Sequence, residues 1–569
     1  MSAKSASAKL KLVLCWHMHQ PEYRDLTTGE FILPWTYLHV IKDYVDMAAH
    51  LEACPNAKAV VNFAPILLEQ IADYAKQIHA FLHEQKPIKD SLLAALASNA
   101  IPENPEIILT LIKACLRANR ERQINRYPVY KRLADMADWL EQHFENLAYI
   151  NAQYITDIVV WYHLAWIGET VKLNNDKIKH LIEKGHSYTE YDKRELLEII
   201  GELHAHIIHR YQVLAKNGQV ELSFTPYAHP IMPLLLDLNS AKEAMPYVEM
   251  PEQKTYPDGE SRCVWHIEQG LNTFKRYFGF APSGCWPSEG SICARTLHLL
   301  NKHQIRWTAS GGAVLRHSLI ASEQSLADYN DYNHHAYRLN NTDVTCFFRD
   351  DGLSDLIGFE YSKWHSDDAV NDFIHHLDVI AANNASEKIV AIIMDGENAW
   401  EHYPENGHRF LSQLYQRLST HPNVELTTFS ACLDAGIPIK PLSQLVSGSW
   451  VYGSFSTWIG DADKNRAWDM LHEAKTAFDH ALAKRELSPE QRQQAEHQLA
   501  ICEGSDWFWW FGDYNPGEVV SNFEKQFRLN LINLYQLIGK DPPAYLALSF
   551  TQGCGSPVMG GTMRPSIET

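Results

Sequence analysis

Two places in this 569-residue chain bring carboxylic acids up beside tryptophan at the end of an apolar stretch. The run Ile389 to Met394 leads into Asp395, Glu397, Trp400 and Glu401, and the shorter run Ala281 to Trp286 leads through Pro287 and Ser288 into Glu289. In α/β folds, reacting side chains sit where parallel strands end, so both acids stand where chemistry is expected. Paired carboxyls can protonate and displace at a glycosidic carbon, and an indole face stacks on a pyranose ring; together they suit a sugar site. Three acids within seven residues would repel if all were buried and ionised. At least one is therefore expected to hold its proton more tightly than usual, as a general acid must. The plainer readings are that Glu289 is an acid favoured at a helix N-terminus and that Glu397 or Glu401 caps the following structure. Pro287, which stiffens the turn, and Trp286, which offers a platform, favour function for Glu289.

Histidine offers further chemistry. In His17-Met18-His19-Gln20-Pro21 the two histidines fall on one face of a strand, because side chains alternate with period two. They could bind a metal with Glu221, His229 or Asp395 as a third ligand, serve as neutral partners for sugar hydroxyls, or simply pack in the core. The expectation adopted is no metal and no cofactor, with His17, His19 and Gln20 in substrate binding. Glu221, in the strand-like Gly218 to Phe224, is either a solvated edge residue or part of a polar, aromatic rim with Thr225, Tyr227 and His229. The run Asp506-Trp507-Phe508-Trp509-Trp510 is too aromatic for an ordinary exposed loop, and Gly504 and Gly512 allow it to bend. At least one of Trp507, Trp509 and Trp510 is expected to face the acids.

These residues need elements to hold them. Leu10 to Trp16 and Ala57 to Phe63, with a helical stretch around Tyr37 to Leu51 between them, read as a βαβ opening. From Pro65 to Lys216 the period turns helical for far longer than a crossover needs, which predicts an insertion over about 65–216. Strand-like pieces then recur at Gln219 to Phe224, Ala281 to Trp286, Ile305 to Ala309, Asp343 to Phe348, Ile389 to Met394 and Val424 to Thr428, with helical patterns between several of them. Such alternation predicts a parallel α/β barrel over 1–440. A helical domain over 441–551 follows it, and then a tail over 552–569 that is either poorly ordered or folded back over another surface.

Composition narrows the partners. The formal charge of −19, with no long basic run, argues against nucleic acid and anionic membrane and for a neutral ligand. No apolar run approaches the ~18 residues of a membrane span. The apolar stretch near the N-terminus is too short for a signal peptide, and ten scattered cysteines without a CxxC read as reduced thiols, so a cytoplasmic location is expected. Nothing in the pattern speaks for an oligomeric state.

With those residues in place, the chain resembles glycoside hydrolase family 57. HMHQP at His17, GQVEL at Gly218, GCWPSEG at Gly284, MDGENAWEH at Met394 and SDWFWWFGD at Ser505 look like that family's five conserved regions, in family order. The segment Ser449 to Leu471 also looks like a family segment. The resemblance implies an incomplete (β/α)7 barrel with a C-terminal α-helical domain closing the site, and a retaining α-glycosidase. It maps the nucleophile to Glu289 and the general acid/base to Asp395, and maps His17, His19, Glu221, Asp506, Trp507 and Trp509 to substrate contact or site shaping. Tyr514, where many relatives carry a second acid, and Asp461-Ala462, where many carry His-Pro, depart from the pattern in the helical domain.

The expected activity is therefore α-amylase-like hydrolysis of an α-glucan or maltooligosaccharide, inside the cell. Substrate contacts are expected from His17, His19, Gln20, Glu221, His229, Trp286, Glu397, Trp400, Asp506, Trp507 and Trp509. A 4-α-glucanotransferase or branching enzyme would use the same residues. A zinc-dependent deacetylase or mannosidase-like hydrolase, using His17, His19 and an acid, and an inert glucan-binding protein are the alternatives of other classes. Retention of both Glu289 and Asp395 counts against the last.

Overall fold

A computed structural model describes residues 9–98, 100, 102–323, 332–382, 387–484, 487–555 and 562–565. Among the described residues ten strands form one sheet: β1 Leu10–Met18, β2 Ala59–Phe63, β3 Val220–Phe224, β4 Gly284–Cys285, β5 Trp307–Ser310, β6 Ala336–Leu339, β7 Thr345–Phe348, β8 Ile389–Asp395, β9 Val424–Thr427 and β10 Ile439–Leu442. Seven of them run parallel in the order β7-β5-β4-β3-β2-β1-β8. The sheet curls until its ends meet at a single parallel bridge between Arg349, just past β7, and Ala391 of β8. At this seam the Asp350 N–H donates to the Ala391 carbonyl at 2.8 Å and Arg349 Nε donates to the Ile393 carbonyl at 2.8 Å. The result is an incomplete (β/α)7 barrel, with the C-terminal helical region against it.

Alternation along the strands explains what fills the barrel. Val13 and Cys15 of β1 and Ile389, Ala391 and Ile393 of β8 pack inside with Trp286, Trp307, Phe347 and Phe429, while Leu12, Leu14 and Trp16 join the outer core under the helices. Continuing each inward series by two residues reaches His17 and Asp395, which are register partners on adjacent strands. The two strands that fill the barrel thus deliver these side chains to their carboxyl ends.

The expected strands all form, though β4 is only two residues long, because Pro282 and Pro287 cannot donate to a ladder. Gly284 of β4 is required: a Cβ there would lie 1.8 Å from the Trp307 ring. Two strands escaped the sequence reading. β6 is a short antiparallel partner of β7, and β10 contains Pro441, which a strand tolerates only at an edge. β10 also straddles residue 440, so the sheet runs just past the boundary expected there.

Between β2 and β3 the chain is helical, its longest pieces being Pro65–Glu84 and Glu190–Lys216. After β10 come the helices Ala462–Ala483, Pro489–Cys502, Ser505–Trp510 and Gly517–Leu537. Among the described residues no helix is long and apolar enough to cross a membrane.

Candidate active site

A cleft opens at the carboxyl ends of the strands, lined from the barrel by His17, His19, Gln20, Glu289, Asp395 and Glu397 and from the helical region by Asp506, Trp509 and Trp510. Glu289 sits in the tight turn after β4, at φ 57° and ψ 24°. A side chain bearing a Cβ visits this left-handed region only at a cost, so the turn must be held by its surroundings. Trp450 holds it twice: its indole N–H donates to Glu289 Oε2 at 2.9 Å and its backbone N–H to the Glu289 carbonyl at 3.1 Å. The Ser310 hydroxyl anchors the next residue by donating to the Gly290 carbonyl at 2.5 Å.

Asp395 ends β8 and accepts from Asn398 Nδ2 at 2.9 Å. Glu397 lies deeper, its Oε1 accepting from the His19 backbone N–H and Gln20 Nε2, each at 3.2 Å, and from the Tyr44 hydroxyl at 3.3 Å. Burial pushes Asp395 up to about 6, against the pull of Asn398, His19 and Arg349. Glu397 is pushed well above the usual carboxylate range, by burial first and by the charges of Asp395 and Asp43 second. Glu289 rises to about 8, through burial and then the charge of Asp395, while the Trp450 N–H works in the other direction. The tighter hold on a proton expected among the clustered acids is present, with burial a larger cause than mutual repulsion.

His17 and His229 form a neutral hydrogen-bonded pair. His17 Nδ1 lies 2.6 Å from Asn62 Oδ1 and must donate to it, because the amide oxygen can only accept. His17 Nε2 is then the acceptor for His229 Nε2–H at 3.1 Å, and His229 Nδ1 accepts from the Ser505 hydroxyl at 2.8 Å. Burial holds His17 down at about 3 and His229 well below the ordinary histidine range, so both stay uncharged. His19 Nε2 meets Asp506 Oδ1 at 2.8 Å, a bond that ties the barrel to the helical region.

His17, His19 and His229 offer ring nitrogens within 4.8 Å of one another, the spacing of a metal site. Their orientation does not fit one. Ring planes differ by only 14–16°, and His19 stacks on His229 with centroids 3.7 Å apart. A lone pair lies in the plane of its ring, so two stacked rings cannot both aim at one ion, and the 3.1 Å contact between His17 and His229 is a direct hydrogen bond. Activity is accordingly expected to survive prolonged EDTA treatment. Loss on chelation, with recovery on added zinc, would make these rings ligands after all.

Several residues expected at the substrate lie elsewhere. Trp286 is fully buried under the site, edge-on to Trp450 with ring centroids 5.2 Å apart. Trp400 packs against Trp16 and Tyr403 and donates to the Gly396 carbonyl at 2.9 Å, so it braces the Asp395 turn from behind. Trp507 is buried against Phe523 and Phe527, with its N–H on the Ile501 carbonyl at 2.7 Å. None of the three presents a face to a sugar. Glu221 is at the far end of β3, where it accepts from Trp307 Nε1 at 2.6 Å and the Ser430 N–H at 2.9 Å and so caps the helix Phe429–Asp434. His229 stands behind His17 and His19 as their support. The sequence reading missed Trp450, Asn398 and Arg349, along with Arg564 near the end of the chain, all of which hold or line the site. Asn398 lay inside the acid-bearing motif and Trp450 in the segment set apart before the helical region; Arg349 and Arg564 carried no local signal.

A family model described as "Glycosyl hydrolase family 57" matches residues 13–440. Among solved structures, an α-amylase of Thermotoga maritima superposes with a TM-score of 0.58 at 13% identity, over 93% of this chain and 93% of that one. A GH57-type branching enzyme of Pyrococcus horikoshii gives 0.55 at 16% identity, over 93% and 89%. A 4-α-glucanotransferase of Thermococcus litoralis gives 0.50 at 13% identity, over 93% of this chain and 60% of that one. No curated protein sequence matches the chain.

Proposed function

Because this chain belongs to glycosyl hydrolase family 57, we propose that it is a retaining enzyme of α-linked glucans that works by double displacement, with Glu289 as nucleophile and Asp395 as general acid/base. One observation carries the reading: acids from two separate strand ends share one buried cleft, where the charge of one raises the proton affinity of the other. Between about 6 and about 8 the two hold one proton between them, and it rests mostly on Glu289, the group with the higher proton affinity, so the reacting form is the minor one. Catalysis requires that proton on Asp395, which gives it to the departing glycosidic oxygen while the Glu289 carboxylate bonds to the anomeric carbon. Water, deprotonated by Asp395, then cleaves the glycosyl-enzyme and the configuration is retained. A sugar hydroxyl in place of water would transfer the chain instead.

The aromatic surfaces of Trp509 and Trp510 suit the apolar faces of glucose rings, and four carboxylates in the cleft disfavour a polyanionic sugar. His17, His19, Gln20, Glu397 and Asp506 supply polar atoms for hydroxyls. In this reading 1–440 carries the chemistry and 441–551 closes the cleft. Ten cysteines without a disulfide among the described residues accord with a reducing compartment. The α-amylase-like outcome is tested by the product profile on maltooligosaccharides, starch and pullulan. Short reducing oligosaccharides from starch are expected. Lengthened maltooligosaccharides would replace hydrolysis with glucanotransfer, new branch points would indicate branching, and inertness on all three would reject an α-glucan substrate.

A further inference from the structure

Thr562, Met563 and Arg564, near the end of the chain, line the same cleft as Glu289 and Asp395. Arg564 is held by Thr457 Oγ1, which accepts from Nη1 at 3.2 Å, and by the Trp509 carbonyl, which accepts from Nη2 at 3.5 Å. Its guanidinium also lies 4.6 Å from the ring centroids of both Trp509 and Tyr514. These partners fix its position without cancelling its charge. The cleft it faces is acidic, with Glu289, Asp395, Glu397 and Asp506. Arg349, a second cation there, is already committed to Asp351 at 3.1 Å and Asp355 at 2.8 Å. His229, with Nδ1 3.9 Å from Glu289 Oε1, is neutral and adds no charge.

We propose that Arg564 is a positioning residue for the reaction, which keeps Glu289 as the carboxylate that attacks. The inference rests on the function proposed above. Around Glu289, burial, Asp395 and Asp506 all favour the protonated form, and only the Trp450 N–H and Arg564 oppose them among its leading influences. Tyr514 belongs to the same device. Its ring lies 4.6 Å from the guanidinium, and an acid at this position would neutralise that charge. The aromatic ring instead holds Arg564 and leaves its field directed at the cleft.

The pH profile of kcat/KM on a maltooligosaccharide tests this. The parent should show a bell with limbs near about 6 and about 8, the upper one belonging to Glu289. Arg564→Gln should raise the upper limb by about one unit and lower the maximum about tenfold, because the form with Glu289 ionised and Asp395 protonated becomes rarer. Arg564→Lys should restore the limb. Tyr514→Glu, which keeps the arginine but sets a carboxylate beside it, should shift the limb as Arg564→Gln does, and serves if that variant fails to fold. Isotope-edited infrared titration of the glutamate carboxyls, with Glu289→Gln as the blank, reads the same shift without substrate. It thus separates failure of this inference from failure of the proposed reaction. Unmoved limbs and an unmoved Glu289 titration in the folded variants, whatever their activity, would reduce Arg564 to a structural tie.

Discussion

Glu289→Ala is expected to lower turnover of maltooligosaccharides by about 10⁴-fold or more, since it removes the proposed nucleophile. The loss should come in the first chemical step. Alanine leaves room beside Trp450, and azide entering that room would attack the face that the carboxylate used. The product should be a glycosyl azide of inverted configuration. Fold loss is a separate matter, because the residue occupies a left-handed turn at φ 57° that alanine also dislikes. Glu289→Gln controls for it by keeping an oxygen for the Trp450 N–H, whose bond to the parent carboxylate measures 2.9 Å. A retained azide product would exchange the roles of the two acids, and an active, folded Glu289→Gln enzyme would end the mechanism.

Asp395→Ala should cost about 10²–10⁴-fold on glucans, whose departing hydroxyl needs a proton. On an α-glucosyl fluoride the first step should be far less affected, because fluoride leaves with little protonation. This contrast is the signature of a lost acid, as distinct from a damaged site. The glycosyl-enzyme would still form on Glu289, so azide should resolve it to a product of retained configuration. Equal losses on both substrates, or an inverted azide product, would remove Asp395 from the acid/base role. Asn398, which donates to Asp395 at 2.9 Å, loses its partner in this variant but faces the cleft, where water can satisfy it.

Much of the barrel could be read along the chain because strand periodicity is local. The series Val13, Cys15, His17 and the series Ile389, Ala391, Ile393, Asp395 place a histidine and an acid on the inward face with no knowledge of the other strands. Glu221, read as part of a polar rim from its neighbours in sequence and from the resemblance, lies away from the cleft. It shares the inward face with Ser223 and Thr225, whose neighbours are Asn62 and through it His17. Four residues of strand separate Glu221 from Thr225, about 13 Å along the barrel. Alternation determines the face of a strand but carries no information on height, which depends on how neighbouring strands are staggered.

The aromatic residues divide along the same line. Adjacency to the acids marked Trp286 and Trp400 as site material, and the aromatic run and motif order marked Trp507 and Trp509. Only Trp509 reaches the cleft, while Trp286 and Trp400 pack behind the turns that carry the acids and Trp507 packs against Phe523 and Phe527. Tryptophan is chosen both for stacking on sugar and for filling large core spaces, and composition cannot tell these uses apart. The chain's own pattern determined the acids, the parity that turns them inward and the helices that must cover the sheet. Proton affinities, the supporting Trp450 and the arrival of Arg564 in the cleft that holds Glu289, 275 residues earlier, were decided only when the chain closed, because burial and charge proximity are properties of the packed molecule.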